Sequence, residues 1–118
     1  MAAPNIVNVT TITGKTAVAG LTAANASLLS NASNSNQVYK INNISYANYT
    51  SSAVSTTATV LRSSTGYYII GGVSVPANST LVVTAKDTSF YLEEGDAIQG
   101  FASVTSSVSA IISYEIIS

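Results

Sequence analysis

Asp87, Glu93, Glu94 and Asp96 form the one concentration of carboxylates in the sequence. Oxygen ligands grouped this way could hold calcium, and a pair of them could act as acid and base in glycoside hydrolysis. The Asp-x-Asp spacing of a calcium loop is missing, however, and no imidazole accompanies the acids. The plainer expectation is that Glu93-Glu94-Gly95-Asp96 is a solvated turn between strands, with Gly95 taking a positive φ.

Nucleophilic chemistry by the abundant Ser and Thr residues would need a base. The chain has no histidine and no cysteine, so the usual imidazole base, any thiol nucleophile, disulfides and the commonest zinc ligands are all absent. None of the lysines stands in a Ser-x-x-Lys arrangement: three residues before Lys15, Lys40 and Lys86 are Ile12, Gln37 and Val83. The hydroxyls are read as strand and surface chemistry, and the sequence implies neither an enzyme nor a metal or other cofactor. The Asn-x-Ser/Thr triplets at Asn8, Asn25, Asn31, Asn43, Asn48 and Asn78 are read as compositional.

Charged residues are 8% of the 118, and the formal net charge is −1. An average soluble domain is about 25% charged. A surface of neutral hydroxyls and amides gives little electrostatic protection against self-association, which suits a chain covered by partners in an assembly. Lys15, Lys40, Arg62 and Lys86 are scattered singly, so no basic stripe tracks a phosphate backbone and no nucleic acid is expected. Met1–Asn5 lacks the positive segment and apolar run of a secretion signal, and no apolar run approaches the about 18 residues of a membrane span.

The elements carrying these residues are strands, because period-two alternation dominates and no helical repeat is sustained. Val108, Ala110, Ile112, Tyr114 and Ile116 share one face of a long C-terminal strand, with Ser109, Ser113 and Glu115 on the other. Ile111 and Ile117 on that outer face suggest a second contact. A similar strand runs over 53–61. In 38–47 the apolar phase moves from Tyr39 and Ile41 to Ile44 and Tyr46, which predicts a β-bulge at Asn42-Asn43.

Residues 66–75 read as a strand buried on both faces at its centre, followed by a hairpin-like corner at Pro76-Ala77-Asn78-Ser79. Phe90-Tyr91-Leu92 reads as a short strand, and 98–103 as another entering a last hairpin. Residues 1–35, rich in Ala, Ser, Asn and Thr, read as a weakly anchored N-terminal arm or edge region attached through Leu21, Leu28 and Leu29. Residues 36–118 then form the β-sandwich proper, within one domain overall. The class is all-β: an antiparallel β-sandwich of jelly-roll or immunoglobulin-like type with an extended N-terminal arm.

Three segments and the chain's ending carry a resemblance: Val38-Tyr39-Lys40-Ile41-Asn42-Asn43-Ile44, the stretch from Ser74 to Val83, Tyr91-Leu92-Glu93-Glu94-Gly95-Asp96, and Ile112-Ser113-Tyr114-Glu115-Ile116. Over 38–118 the chain resembles small virion structural proteins of tailed phages infecting marine bacteria, including cyanobacteria. That resemblance implies a β-sandwich subunit of the phage particle, made in the host cytoplasm and fixed on the capsid exterior as a decoration or cementing protein. Its partners would be the major capsid protein or other virion proteins and further copies of itself, a trimer being one such form. Neck, tail and fibre positions stay open, and no site residues carry over.

Ile6, Val7, Val9 and Ile12, alternating without an obvious core partner, are candidates for adding to a neighbour's sheet edge. Ile111 and Ile117 are candidate contacts on the last strand, and Tyr49 is the candidate exposed aromatic. The remaining tyrosines read mostly as core-edge residues. An alternative function is a receptor- or carbohydrate-binding module of a tail, neck or fibre. That alternative predicts exposed aromatics gathered in one groove of a single subunit, whereas cementing predicts an apolar footprint shared between subunits.

Overall fold

The structure, a computed structural model, describes residues 11–118, the side chain of Lys86 excepted. Among the described residues nine strands follow in order: β1 (Ile12–Gly20), β2 (Ala26–Ser30), β3 (Val38–Asn48), β4 (Val54–Arg62), β5 (Thr65–Val75), β6 (Thr80–Thr84), β7 (Phe90–Leu92), β8 (Ala97–Ala102) and β9 (Val108–Ile117). A single 3-10 turn, Lys86–Thr88, separates β6 from β7. Among the described residues no helix is long and apolar enough to cross a membrane.

All strand pairs are antiparallel, and they form two sheets. One runs β1-β9-β3-β6, with β7 sharing the β6 edge of β3; the other runs β2-β8-β4-β5. Successive strands therefore mostly change sheet, which is the wrapping order of a jelly roll and selects that form of β-sandwich over the immunoglobulin-like one. The link from β4 to β5 is a true two-residue hairpin: Arg62 faces Thr65, and Ser63 and Ser64 take φ of 52° and 64°. Two successive positive φ values are the mark of a type I′ turn.

The core lies between the sheets. Ile41, Ile44 and Tyr46 of β3, Ala110 and Ile112 of β9, and Ile98 of β8 are all at most 1% exposed. Each buried Ile or Leu removes enough apolar surface from water to contribute about 1.5–3 kcal/mol before the entropy of ordering it is charged. The bulge expected at Asn42-Asn43 is present as a register shift between Ile41 and Asn43 against β9, and it keeps both halves of β3 facing the core. Gly100 of β8 allows the sheets to close on Tyr46: a Cβ there would sit 2.5 Å from the Tyr46 hydroxyl and 3.0 Å from the Thr57 carbonyl.

Several expectations are corrected. Of the two forms expected for the N-terminal region, residues 12–20 and 26–30 take the edge form and not that of a weakly anchored arm: β1 pairs with β9 from end to end and β2 pairs with β8, so this region supplies an edge strand to each sheet. Leu21 between them is 1% exposed. β5 is exposed along most of its length, because it is an edge strand, not an inner one. The Pro76–Ser79 corner crosses from one sheet to the other, as does the β8–β9 link, so neither makes a hairpin.

Candidate functional site

Ile6, Val7 and Val9 lie outside the described residues. Ile12, at the start of β1, is 59% exposed and stands opposite Ile117. Ile117 is not a free contact: it is 5% exposed, with Val38, equally buried, facing it on the other side. A residue flanked by apolar side chains on both neighbouring strands is shielded even at a sheet's outer face.

Ile111 is exposed, and register explains its company. Val18 of β1 faces Ile111 of β9, Ile111 faces Ser45 of β3, and Ser45 faces Val82 of β6. Paired residues share a face, so Val18, Ile111 and Val82, at 73%, 43% and 54% exposure, form an uncharged row across the outer side of this sheet. Tyr49 is exposed as expected but isolated from this row, in the loop after Asn48.

Among the described residues no strand pairs with the outer edge of β1, which adjoins the row. Its nine residues, ITGKTAVAG, carry one charge and no proline, and its register against β9 is unbroken. Native edges are normally blunted by charge, proline or bulges. β5, the long edge of the other sheet, does have such protection: its pairing with β4 shifts twice, and Gly72 at the irregularity has φ +66° and donates its N–H to the Thr57 hydroxyl at 3.0 Å.

A groove of about 840 Å³ opens on the flank where β5 faces β6 and β7. It arises because two short strands share one edge of β3: β6 ends opposite Ile44, β7 begins opposite Ile41, and the chain leaves the sheet between them. Val60, Ile69, Val83 and Phe90 line it with apolar surface continuous with the core. Tyr67 faces Val60 in register, so it shares that inward side while remaining 60% exposed. Tyr68 and Tyr91 also border the groove. Sequence reading missed Tyr67 and Tyr68 because an apolar edge strand and an apolar inner strand look alike in composition.

Arg62 and Glu93 stand at one end of the groove. The Asp96 carboxylate, 3% exposed, accepts from Arg62 Nε and Nη2 and from the Glu93 backbone N–H, the last at 2.9 Å. Glu93 Oε2 lies 3.0 Å from Arg62 Nη2. The hydrogen bonds to Asp96, more than any other influence, push the Arg62 pKa above its ordinary value. The turn itself is as expected, Gly95 having φ +85°, but Asp96 is a buried anchor, not a solvated acid. Glu94 Oε2 accepts from the Asn36 N–H, and Asp87 sits apart in the 3-10 turn. Among the described residues no three His, Cys, Asp or Glu side chains are grouped to hold a metal.

Two of the Asn-x-Ser/Thr triplets have a structural role that composition concealed. Asn48, 2% exposed, donates Nδ2–H to the carbonyls of Ser52, Val75 and Pro76, while its Oδ1 accepts from the Thr50 N–H and hydroxyl. Asn31, 1% exposed, donates to the Gln37 and Leu92 carbonyls.

No family model matches the chain, and no curated protein matches it. Among solved structures it is similar to a subunit from work described as "Bacillus endospore appendages form a novel family of disulfide-linked pili". The TM-score is 0.54 at 13% identity, covering 99% of this chain and 95% of the other. At that identity the likeness supports the all-β sandwich fold.

Proposed function

We propose that this protein is a non-enzymatic structural subunit that builds a many-copy assembly by associating with further copies of itself. The observation that carries the reading is the unguarded β1 edge beside the Val18–Ile111–Val82 row. A second strand laid along β1 would pair its open N–H and C=O groups, and the row would bury apolar surface in the same contact. With so few charges on the chain, little repulsion opposes such contacts.

The similar fold in a pilus protein agrees with a subunit of this kind. These 118 residues contain no cysteine, so the disulfide link in that protein's description has no counterpart in them. The sequence resemblance to tailed-phage virion proteins would make the assembly a phage particle, with this chain decorating a capsid lattice. That is the narrower form of the same proposal, and localising the protein on an intact particle by electron microscopy tests it.

The general reading is tested by sedimentation velocity of the full chain against the double variant Thr16→Lys/Val18→Lys. Both positions are exposed, so the fold should tolerate the change within about 0.5 kcal/mol. Wild type should sediment as concentration-dependent oligomers, and the variant as a monomer. A wild-type monomer at every concentration, or oligomers indifferent to the two lysines, would refute the proposal.

A further inference from the structure

We propose that the groove on the β5–β6/β7 flank is a binding site for a neutral oligosaccharide. It lies on the opposite flank from β1, so the inference stands independently of the assembly reading. Ligand sites of about 300–1,000 Å³ combine a mainly apolar lining with a few fixed polar groups, and this groove has both.

A pyranose ring has an apolar C–H face and a rim of hydroxyls. Tyr67 offers an exposed aromatic ring beside Phe90 and Ile69 for the C–H face. Arg62 and Glu93 supply a donor and an acceptor next to each other for adjacent hydroxyls. Arg62 is already held by buried Asp96, while its Nη1 has no partner within the described chain. Its position therefore costs little further entropy on binding.

Charge complementarity selects an uncharged ligand. The two charged side chains that line the groove, Arg62 and Glu93, are paired with each other at 3.0 Å, so neither an acidic nor a cationic ligand would meet an unpaired opposite charge. A peptide strand is disfavoured by the two register shifts and the Gly72 irregularity along β5, which deny it a regular edge to pair with.

The test is titration of the full-length, 15N-labelled Thr16→Lys/Val18→Lys protein with maltohexaose, mannohexaose and cellohexaose at millimolar concentrations, followed by amide NMR. If that protein still oligomerises, the same titration is read by calorimetry on the wild type. At least one of these sugars should shift amides of 67–69 and 90–93. Tyr67→Ala should weaken binding at least about tenfold, and Tyr49→Ala, in a separate loop, should leave it unchanged. Saturation without response from any of the three sugars would overturn the proposal, as would binding indifferent to Tyr67→Ala. Tighter binding of a hyaluronan hexasaccharide, or of a peptide copying residues 1–11, to the same amides would also overturn it.

Discussion

The two flanks of the sandwich are closed in different ways. On the β1–β2 side, residues 21–25 pass between the sheets and are hydrogen-bonded to both. Leu21 N–H donates to Val108 O of β9, and Thr22 O accepts from Ala102 N–H of β8, each at 2.9 Å, with Leu21 buried beneath. On the β5–β6 side the crossing at Pro76–Ser79 lies at one end only, where Asn48 fastens it to β3. At the other end, beside the Ser63-Ser64 hairpin, the β7–β8 link, residues 93–96, runs from one sheet to the other, and Arg62 of β4 is tied to it through Glu93 and Asp96. The groove opens there. A chain nearly without charge holds its layers together where backbone crosses between them, and its Arg62–Glu93–Asp96 cluster ties the end of β4 to one of those crossings.

If that contrast is right, the closed flank carries more stability than the open one. Leu21→Ala should produce the largest loss, about 2–5 kcal/mol, since the residue is 1% exposed and the hydrogen-bonded connection around it cannot collapse into the cavity. Val83→Ala, in the half-open groove, should cost about 1 kcal/mol or less because solvent already reaches the site. Urea denaturation of both variants at one protein concentration measures the difference. Equal losses would mean that the flanks are energetically alike.

Asn48 sharpens the comparison within the open flank by testing its fastened end. Asn48→Ala removes a side chain that satisfies three carbonyls and two donors, and should cost about 2–3 kcal/mol. Native-state hydrogen exchange should show the loss as faster exchange at the amides of residues 48 and 78, which donate to Ser79 O and Thr50 O, with the amides of Leu21 and Ala102 unchanged. Exchange accelerated equally on both flanks would argue against separate closures.

How much of this was legible in the sequence depended on how local the cause was. The alternation of β9, the phase change at Asn42-Asn43 and the Gly95 turn each depend on residues within a few positions, and the sequence reading located all three. The exposure of β5 was not legible, because Tyr67, Tyr68, Ile69 and Ile70 have the composition of an inner strand and only sheet order makes them an edge. The Ser63-Ser64 turn lacks the Gly or Asn that normally marks two positive φ values. Asp96 reads as a turn acid until Arg62, 34 positions away, is brought against it. The candidate contacts divided the same way: Ile111 was visible from alternation, whereas its neighbours Val18 and Val82 are set by register across three strand pairs.

The smallest expected effect at neutral pH tests whether the interior behind the closed flank is sealed. Tyr46 is fully buried, and its hydroxyl donates to Thr57 O at 3.2 Å, so Tyr46→Phe should cost about 1 kcal/mol. Burial raises the Tyr46 phenol above its ordinary pKa of 10.0. In the unfolded chain the phenol loses its proton near the ordinary value, while in the fold it keeps it. Unfolding above that pH therefore releases a proton, and stability falls by about 1.4 kcal/mol per pH unit from this residue until the folded pKa is reached. Below the ordinary value the contribution is fully present. Phenylalanine has no proton to lose, so the two stability curves should converge on raising the pH and cross roughly one unit above the phenol's ordinary value. Tyr39, raised by partial burial and then by Tyr114, adds a slope common to both proteins and leaves the crossing in place. Parallel curves would mean that Tyr46 ionises within the folded state as easily as outside it, which a sealed sandwich does not allow.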